Sequence, residues 1–487
     1  MTRTPSGNTR KVVIIGGGIS GLAAAHRLAE QRASVDSSFE VLLLEASSRL
    51  GGIIRTERRE GFLLEGGPDS FISEKPEALA LAKRVGIADR VIETNAAHRR
   101  SFIVRGGRLH GVPEGFQLLA PSRFWPFVTS GIFSWSGKAR MALDLVLPKR
   151  ADANGKDDES LAQFVRRRLG REALERMAQP MVGGIYTADP ERLSLRATMP
   201  RFLEMESAHG SIIKAMLRAR RKQNAEAKRG TSGARYSLFL SFDEGMQMLV
   251  DGVAAKLPEN STRLNAPVES LAFDEAARRW MIRIKDSGET IHADALCLAL
   301  PTFAAANLLR DTDEQLASEL NEISYASTAT INLAYKRADI SHALDGFGFV
   351  SPLIEGRATL ACSFSSVKFA GRAPEGYVLL RAFVGGALQP EMFELEDGQI
   401  IAAVREDLRA LLGIKTPPLF SFVQRWPRSM PQYHLGHLER IERINARLAN
   451  FPTLAIAGNA YNGAGVPDCI RSGEKAADAM LANLALR

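Results

Sequence analysis

Near the start of the chain, glycines and two charged residues have the types and spacing of a grip on a pyrophosphate and a ribose. Gly16, Gly18 and Gly21 occupy the G-x-G-x-x-G positions of Gly16-Gly17-Gly18-Ile19-Ser20-Gly21. The first permits a tight turn, the second lets main chain approach a pyrophosphate, and the third lets a helix pack close on a strand. Glu45 then offers a carboxylate that can accept hydrogen bonds from a ribose 2′-hydroxyl. After Ala46 come Arg49, Gly51 and Gly52, a cation and bare main-chain amides for the same anion. Gly67-Pro68-Asp69-Ser70 is a turn of small residues suited to main-chain contact with a flat ring. Far downstream, Gly458-Asn459 and Gly465-Val466 bracket a second glycine-rich turn whose following helix would aim free amides at an electron-rich ring edge.

These residues need elements to hold them. Lys11–Ile15 is a β-branched apolar run of strand length before the first turn, and Leu22, Ala23, Ala24, Ala25 and Leu28 follow it at helical spacing. Glu40–Leu44 is a second apolar strand that delivers Glu45, Thr453–Ala457 a third that delivers Gly458, and a helix is predicted from about Asp468 to Leu484. Alone, either glycine-rich turn could be an ordinary connection. The order strand, G-x-G-x-x-G, helix, strand, Glu and R-x-G-G points to a nucleotide-binding α/β unit assembled from both ends of the chain.

Composition excludes several classes. The 487 residues are 45% hydrophobic and 24% charged, the profile of a globular chain with a large core, and 63 Lys plus Arg against 55 Asp plus Glu leave a mildly basic net charge of +8. The three cysteines, Cys297, Cys362 and Cys469, are far apart and form neither a disulfide framework nor a zinc motif. The polar stretch Met1 to Arg10 has no signal-like apolar run, and no run of about 20 apolar residues occurs, so a cytoplasmic protein is expected. The basic run Lys214–Arg229 lacks interleaved aromatics, which argues against nucleic acid. His209, His434 and His437 show no ligand spacing, and neither a metal site nor a catalytic triad is predicted.

The segments Gly16–Ala25, Leu44–Gly52, Glu65–Phe71, Leu109–Pro113, Met181–Tyr186 and Ala457–Ile470 together resemble the flavin amine oxidase superfamily and, within it, the oxygen-dependent porphyrinogen oxidases. The resemblance implies non-covalent FAD in a Rossmann-like domain of the GR2 type, an α+β substrate domain and a helical insertion. It implies six-electron oxidation of a porphyrinogen, coproporphyrinogen III or protoporphyrinogen IX, with O2 as acceptor and H2O2 as by-product. Carried over by position, Gly16, Gly17, Gly18, Ile19, Ser20, Gly21, Glu45, Ala46, Arg49, Gly51, Gly52 and Val268 would hold the ADP half. Gly67, Pro68, Asp69, Ser70, Trp426, Gly458, Asn459, Gly465 and Val466 would surround the ring. Some superfamily members attach the flavin to a cysteine shortly after the Trp426 position, where this chain reads Pro-Arg-Ser-Met-Pro-Gln-Tyr.

A porphyrinogen has activated methylene bridges and pyrrole nitrogens that can shed their own protons, so no catalytic acid or base is expected. Its carboxylates need cations. Arg99, Arg100, Arg105 and Arg108 crowd one stretch, and Lys75 is a second candidate; Ser101 stands before Phe102 where some relatives carry an arginine, which favours coproporphyrinogen. Expected domains are 1–73, 241–300 and 440–487 for FAD, 74–240 as the helical insertion with 101–113 reaching the substrate pocket, and 301–439 as a substrate-binding sheet. Phe116, Phe124, Trp125, Phe127, Phe133 and Trp135 form an aromatic wall that could line the pocket or touch a membrane peripherally. Hand-over of product to a chelatase of the haem pathway is a further expectation. The competing readings are an amine oxidase or carotenoid desaturase of the same superfamily, and a non-catalytic flavin-binding partner protein.

Overall fold

The computed structural model describes residues 10–34, 39–113, 116–117, 120–121, 123–150, 157–228 and 238–485. Residues 1–9 of the polar N-terminal stretch and Arg229 of the basic run lie outside them. The β-branched run forms the strand Arg10–Ile15, whose Val12, Val13 and Ile14 are fully buried. Burial on both faces is the mark of a central parallel strand. It lies in the middle of a five-stranded sheet that runs Thr262–Arg263, Phe39–Leu44, Arg10–Ile15, Ala295–Leu298 and Leu454–Ile456. Every neighbouring pair is parallel.

Helices Ile19–Ser34 and Val466–Ala485 cover one face of this sheet, with Leu22, Leu28, Ile470 and Ala477 in a shared core. Glycine sets how closely they approach. A Cβ on Gly473 would overlap the Ser20 carbonyl oxygen, and one on Gly21 would overlap that of Gly16. The antiparallel strands Val268–Asp274, Arg279–Ile284 and Thr290–Ala293 pack on the other face through Trp280 and Ile282. Helices Thr302–Leu309 and Glu314–Asn321 join the same core through Leu309, Leu316 and Leu320. The sequence reading assigned residues from 301 onward to the second domain; amphipathic spacing reveals that a helix has an apolar face, not which sheet that face meets.

A second, seven-stranded sheet is ordered Phe420–Pro431, Tyr325–Lys336, Tyr377–Gly385, Ala361–Ser363, Gly348–Val350, Phe102–Arg105 and Arg108–Gly111. On one face Ile331, Leu333, Leu380 and Ala382 pack against Ile400, Val404 and Leu408 of the helix Asp397–Leu412. Strand alternation turns Thr330, Asn332 and Arg381 to the opposite face, where they hydrogen-bond the 65–67 turn. The helices between 124 and 228 keep their own core around Phe164, Met177, Val182 and Phe202. Inside it Arg168 and Asp144, both fully buried, are joined by a 2.6 Å Nε to Oδ1 hydrogen bond. Removing either partner would strand the other charge.

Candidate active site

The first turn is shaped for main-chain contact with an anion. Gly16 has φ +108° and donates its N–H to the Leu44 carbonyl at 2.8 Å, while a Cβ there would overlap the Ala299 carbonyl oxygen. Around Gly18, by contrast, an added Cβ would meet nothing within 4 Å. That open space faces the start of helix Ile19–Ser34, whose first turn carries no acidic residue and whose first amides have no intrahelical partner.

The opposite wall is the 49–54 loop. Gly51 (φ +107°) donates its N–H to the Gly17 carbonyl at 2.8 Å, and a Cβ on Gly52 would sit 3.2 Å from the Gly18 Cα. Arg49 shapes this loop by donating to the carbonyls of Leu50 at 3.1 Å, Ile54 at 2.9 Å and Gly52. Burial lowers its pKa. Glu45, at the tip of its strand, accepts from the Gly17 amide at 2.6 Å and the Ser47 amide at 2.8 Å. The Asn265 amide donates to Ser47 and the Ala266 amide to Glu45 itself, which brings Val268 to the same edge. Bare glycine backbone, a helix N-terminus and a carboxylate at the strand tip fit the ADP half of a dinucleotide.

The ring-side turn rests on the large sheet. The Gly66 carbonyl accepts from Trp426 Nε1 at 2.7 Å, Thr330 Oγ1 at 2.9 Å and Arg381 Nη2 at 3.5 Å, and Arg381 also donates to the Gly67 carbonyl. A Cβ on Gly67 would overlap the Ile53 carbonyl oxygen, so this turn is pressed against the 49–54 loop. Lys368 Nζ pairs with Asp69 at 2.9 Å and donates to Ser70 Oγ at 3.2 Å. Burial opposes ionisation of Asp69, but Lys368 and Arg381 outweigh it and hold the carboxyl below the ordinary carboxylate range. Glu65 goes the other way: burial pushes it up to about 7, against hydrogen bonds from the Met246 amide and the Thr56 hydroxyl.

The second glycine-rich turn closes the site. Tyr433 Oη donates to the Asn459 carbonyl at 2.5 Å and accepts from the Gly463 amide at 2.8 Å, while Asn459 Nδ2 donates to the Ser429 carbonyl at 3.2 Å. Gly458 donates its N–H to Ser472 Oγ at 3.1 Å, and Gly465 and Val466 lead into the C-terminal helix. Asp468 is buried in the first turn of that helix. It accepts from Lys75 Nζ at 2.6 and 2.7 Å and from Arg471.

The structure therefore brings together Trp426, the 66–70 turn and the 458–466 turn. It ties Lys75 to Asp468 instead of leaving its ammonium open to a substrate. Arg100 pairs with Asp345 and stacks 5.2 Å over Phe102. Ser101 shares a sheet row with Gly348, Ser363 and Arg381, because Phe102 is level with Phe349, Gly348 with Ser363 and Ser363 with Arg381. Three strand spacings, roughly 14 Å, separate Ser101 from Arg381. The helix Gln179–Tyr186 lies farther along the same sheet: a Cβ on Gly184 would sit 3.8 Å from Val350, and Gly183 and Thr187 face Leu360 and Gly385 across a small gap.

Sequence reasoning missed Arg381, Lys368, Thr330 and Tyr433. Arg381 did carry a signal, a charge in the middle of the apolar strand Tyr377–Gly385, which is costly unless a site needs it.

Residues 19–481 match the family described as flavin containing amine oxidoreductase. The chain belongs to this family. A flavin containing amine oxidoreductase carries a flavin. The chain is 35% identical to the coproporphyrinogen III oxidase of Bacillus subtilis (strain 168), over 97% of this chain and 98% of that one. It is 30% identical to protoporphyrinogen oxidase 1, chloroplastic, of Arabidopsis thaliana, over 95% of this chain and 86% of that one. Among solved structures, a candidate protoporphyrinogen oxidase from Exiguobacterium sp. 255-15 superposes with a TM-score of 0.84 at 29% identity, covering 98% of this chain and 99% of that one.

Proposed function

We propose that this flavin containing amine oxidoreductase binds FAD without a covalent link and oxidises a porphyrinogen, with coproporphyrinogen III preferred, to the corresponding porphyrin. The observation that carries the reading is the end-to-end similarity to a bacterial coproporphyrinogen III oxidase in a chain whose 66–70 and 458–466 turns both hydrogen-bond the strand that carries Trp426. FAD is favoured over a mononucleotide because Gly16–Gly21, Glu45 and Gly51–Gly52 build a pyrophosphate and ribose cradle beyond the ring site.

When bound, the flavin accepts two electrons in each oxidation and passes them to O2. Three such rounds remove six electrons from the macrocycle and balance three O2 against three H2O2. The task of the protein is orientation. The 66–70 turn and Trp426 form one wall of the proposed site, and the Arg381 face of the large sheet backs it. Burial pushes Tyr186 up to about 12 and His434 and His437 down to about 4, away from proton transfer at neutral pH, and Glu65, raised to about 7, has both carboxyl oxygens engaged by the Met246 amide and the Thr56 hydroxyl. This suits a substrate whose own pyrrole nitrogens release the protons.

The test is porphyrin fluorescence from the purified protein in air, with coproporphyrinogen III and protoporphyrinogen IX run side by side. Porphyrin is expected from coproporphyrinogen III at the higher rate, with peroxide in step. Turnover of an amine with no porphyrin from either substrate would overturn the reading in favour of an amine oxidase.

A further inference from the structure

The strand Tyr377–Gly385 buries Val378, Leu379, Leu380, Ala382 and Val384, and in their midst Arg381, only 3% exposed. The guanidinium makes no ion pair among the described residues. It donates to the carbonyls of Gly66 and Gly67, stacks 4.7 Å over Phe383, and its Nε has no partner. Two more side chains on the adjoining strands, Thr330 and Trp426, donate to the same Gly66 carbonyl. Three donors from three strands thus load one peptide group.

A trans peptide holds its N–H antiparallel to its C=O. With the Gly66 carbonyl turned to the sheet, the Gly67 N–H points away from the sheet. Gly67 is buried, and its amide has no partner among the described residues. Hydrogen bonds received at a carbonyl polarise the N–H of the same peptide. Charge acts in the same direction. Lys368, Arg372 and Arg381 surround the turn against Glu65, Asp69 and Asp243, and among the described residues Arg381 forms an ion pair with none of the three carboxylates. Lys368 is committed to Asp69, and Arg372 to Ser241 Oγ and the carbonyls of Phe242 and Asp243.

We infer that Arg381 is a positioning residue for the redox reaction: through the Gly66–Gly67 peptide it aims a polarised N–H and an unpaired positive charge at the flavin ring, making the ring easier to reduce. The inference rests on the flavin reading above. A preorganised donor and a buried cation favour negative charge most where water is excluded, and a flavin gains negative charge as it takes up electrons.

The test is the midpoint potential of the bound flavin, read by anaerobic spectral titration of the yellow holoenzyme. Arg381→Met is expected to shift the reduced-to-oxidised ratio at least tenfold toward oxidised, a midpoint lower by about 30 mV for a two-electron couple. Arg381→Lys keeps the charge and restores most of that shift. Thr330→Val removes one donor from the Gly66 carbonyl without touching the charge and gives a smaller shift of the same sign. An unchanged midpoint in a yellow Arg381→Met protein overturns the inference. If that variant does not fold, Thr330→Val decides: a lowered midpoint supports the inference and an unchanged one overturns it. A wild-type protein that takes up no flavin overturns the functional reading itself, a separate outcome.

Discussion

Glu45 accepts hydrogen bonds from two main-chain amides, those of Gly17 and Ser47, and so ties the first turn to the strand that follows it. Replacing it with alanine leaves the turn without its acceptor and removes the carboxylate proposed for the ribose. Glu45→Ala is expected to weaken flavin binding by about 1–3 kcal/mol, read as loss of yellow colour on gel filtration or a raised Kd in a fluorescence titration. Glu65 gives a pH signature. Its folded pKa of about 7 lies above the ordinary 4.5, so the folded chain keeps a proton that the unfolded chain has released. The stability this contributes is full below about pH 4.5 and is lost as pH rises through 7, a decline on the order of a few kcal/mol at most. Urea midpoints across that window should fall with pH in the wild type and flatten in Glu65→Gln. At this scale the tight turn at Gly16–Gly21 was legible because glycine spacing reports backbone geometry directly. Arg381 and Lys368 were not, since their roles arise from tertiary contacts with a turn about 300 positions away in sequence.

Gly473 shows how an element can control the site without touching it. It lies inside the C-terminal helix, where any Cβ would overlap the Ser20 carbonyl oxygen of the first helix. Gly473→Val should separate the two helices that follow the two glycine-rich turns. Overpacking of this kind costs about 1–3 kcal/mol, and denaturation midpoint and flavin content should fall together. Lys75 bridges from the start of the helix Glu77–Val85 to Asp468 at the start of the C-terminal helix. Lys75→Met is therefore expected to loosen flavin retention while leaving the KM for porphyrinogen little changed, the opposite of what a carboxylate-binding lysine would show. Three strands of the parallel sheet, Arg10–Ile15, Phe39–Leu44 and Leu454–Ile456, were readable as apolar runs. The strand Phe420–Pro431 was not, because it contains Pro427 and Pro431 and several polar residues. The structure explains this: it is an edge strand, where a missing N–H is tolerated, and it bulges at residues 427–429, opposite Ser327 of its partner. Periodicity sees neither an edge nor a bulge.

Across the whole molecule, the first and the last of the described strands lie in a single parallel sheet, and Arg10 Nη1 donates to the Leu484 carbonyl at 2.5 Å. No helix of the described residues is long and apolar enough to cross a membrane. Trp125 and Trp135 are nonetheless 72% and 73% exposed, and Lys138 lies 4.4 Å over the Trp135 ring. A peripheral lipid contact predicts co-sedimentation with anionic vesicles that is reduced in a Trp125→Ala/Trp135→Ala protein and weakened by salt; equal recovery of both proteins with the vesicles would argue against it. The central claim, that a flavin held by both ends of the chain takes electrons from a porphyrinogen, meets its most direct test in an anaerobic mixing experiment. Purified yellow protein is mixed with coproporphyrinogen III in a stopped-flow cell and followed at the flavin band near 450 nm. The account predicts rapid bleaching of the flavin, and recovery of the band with appearance of porphyrin when air is admitted. A flavin band that stays oxidised with porphyrinogen, but bleaches with an amine, would contradict it.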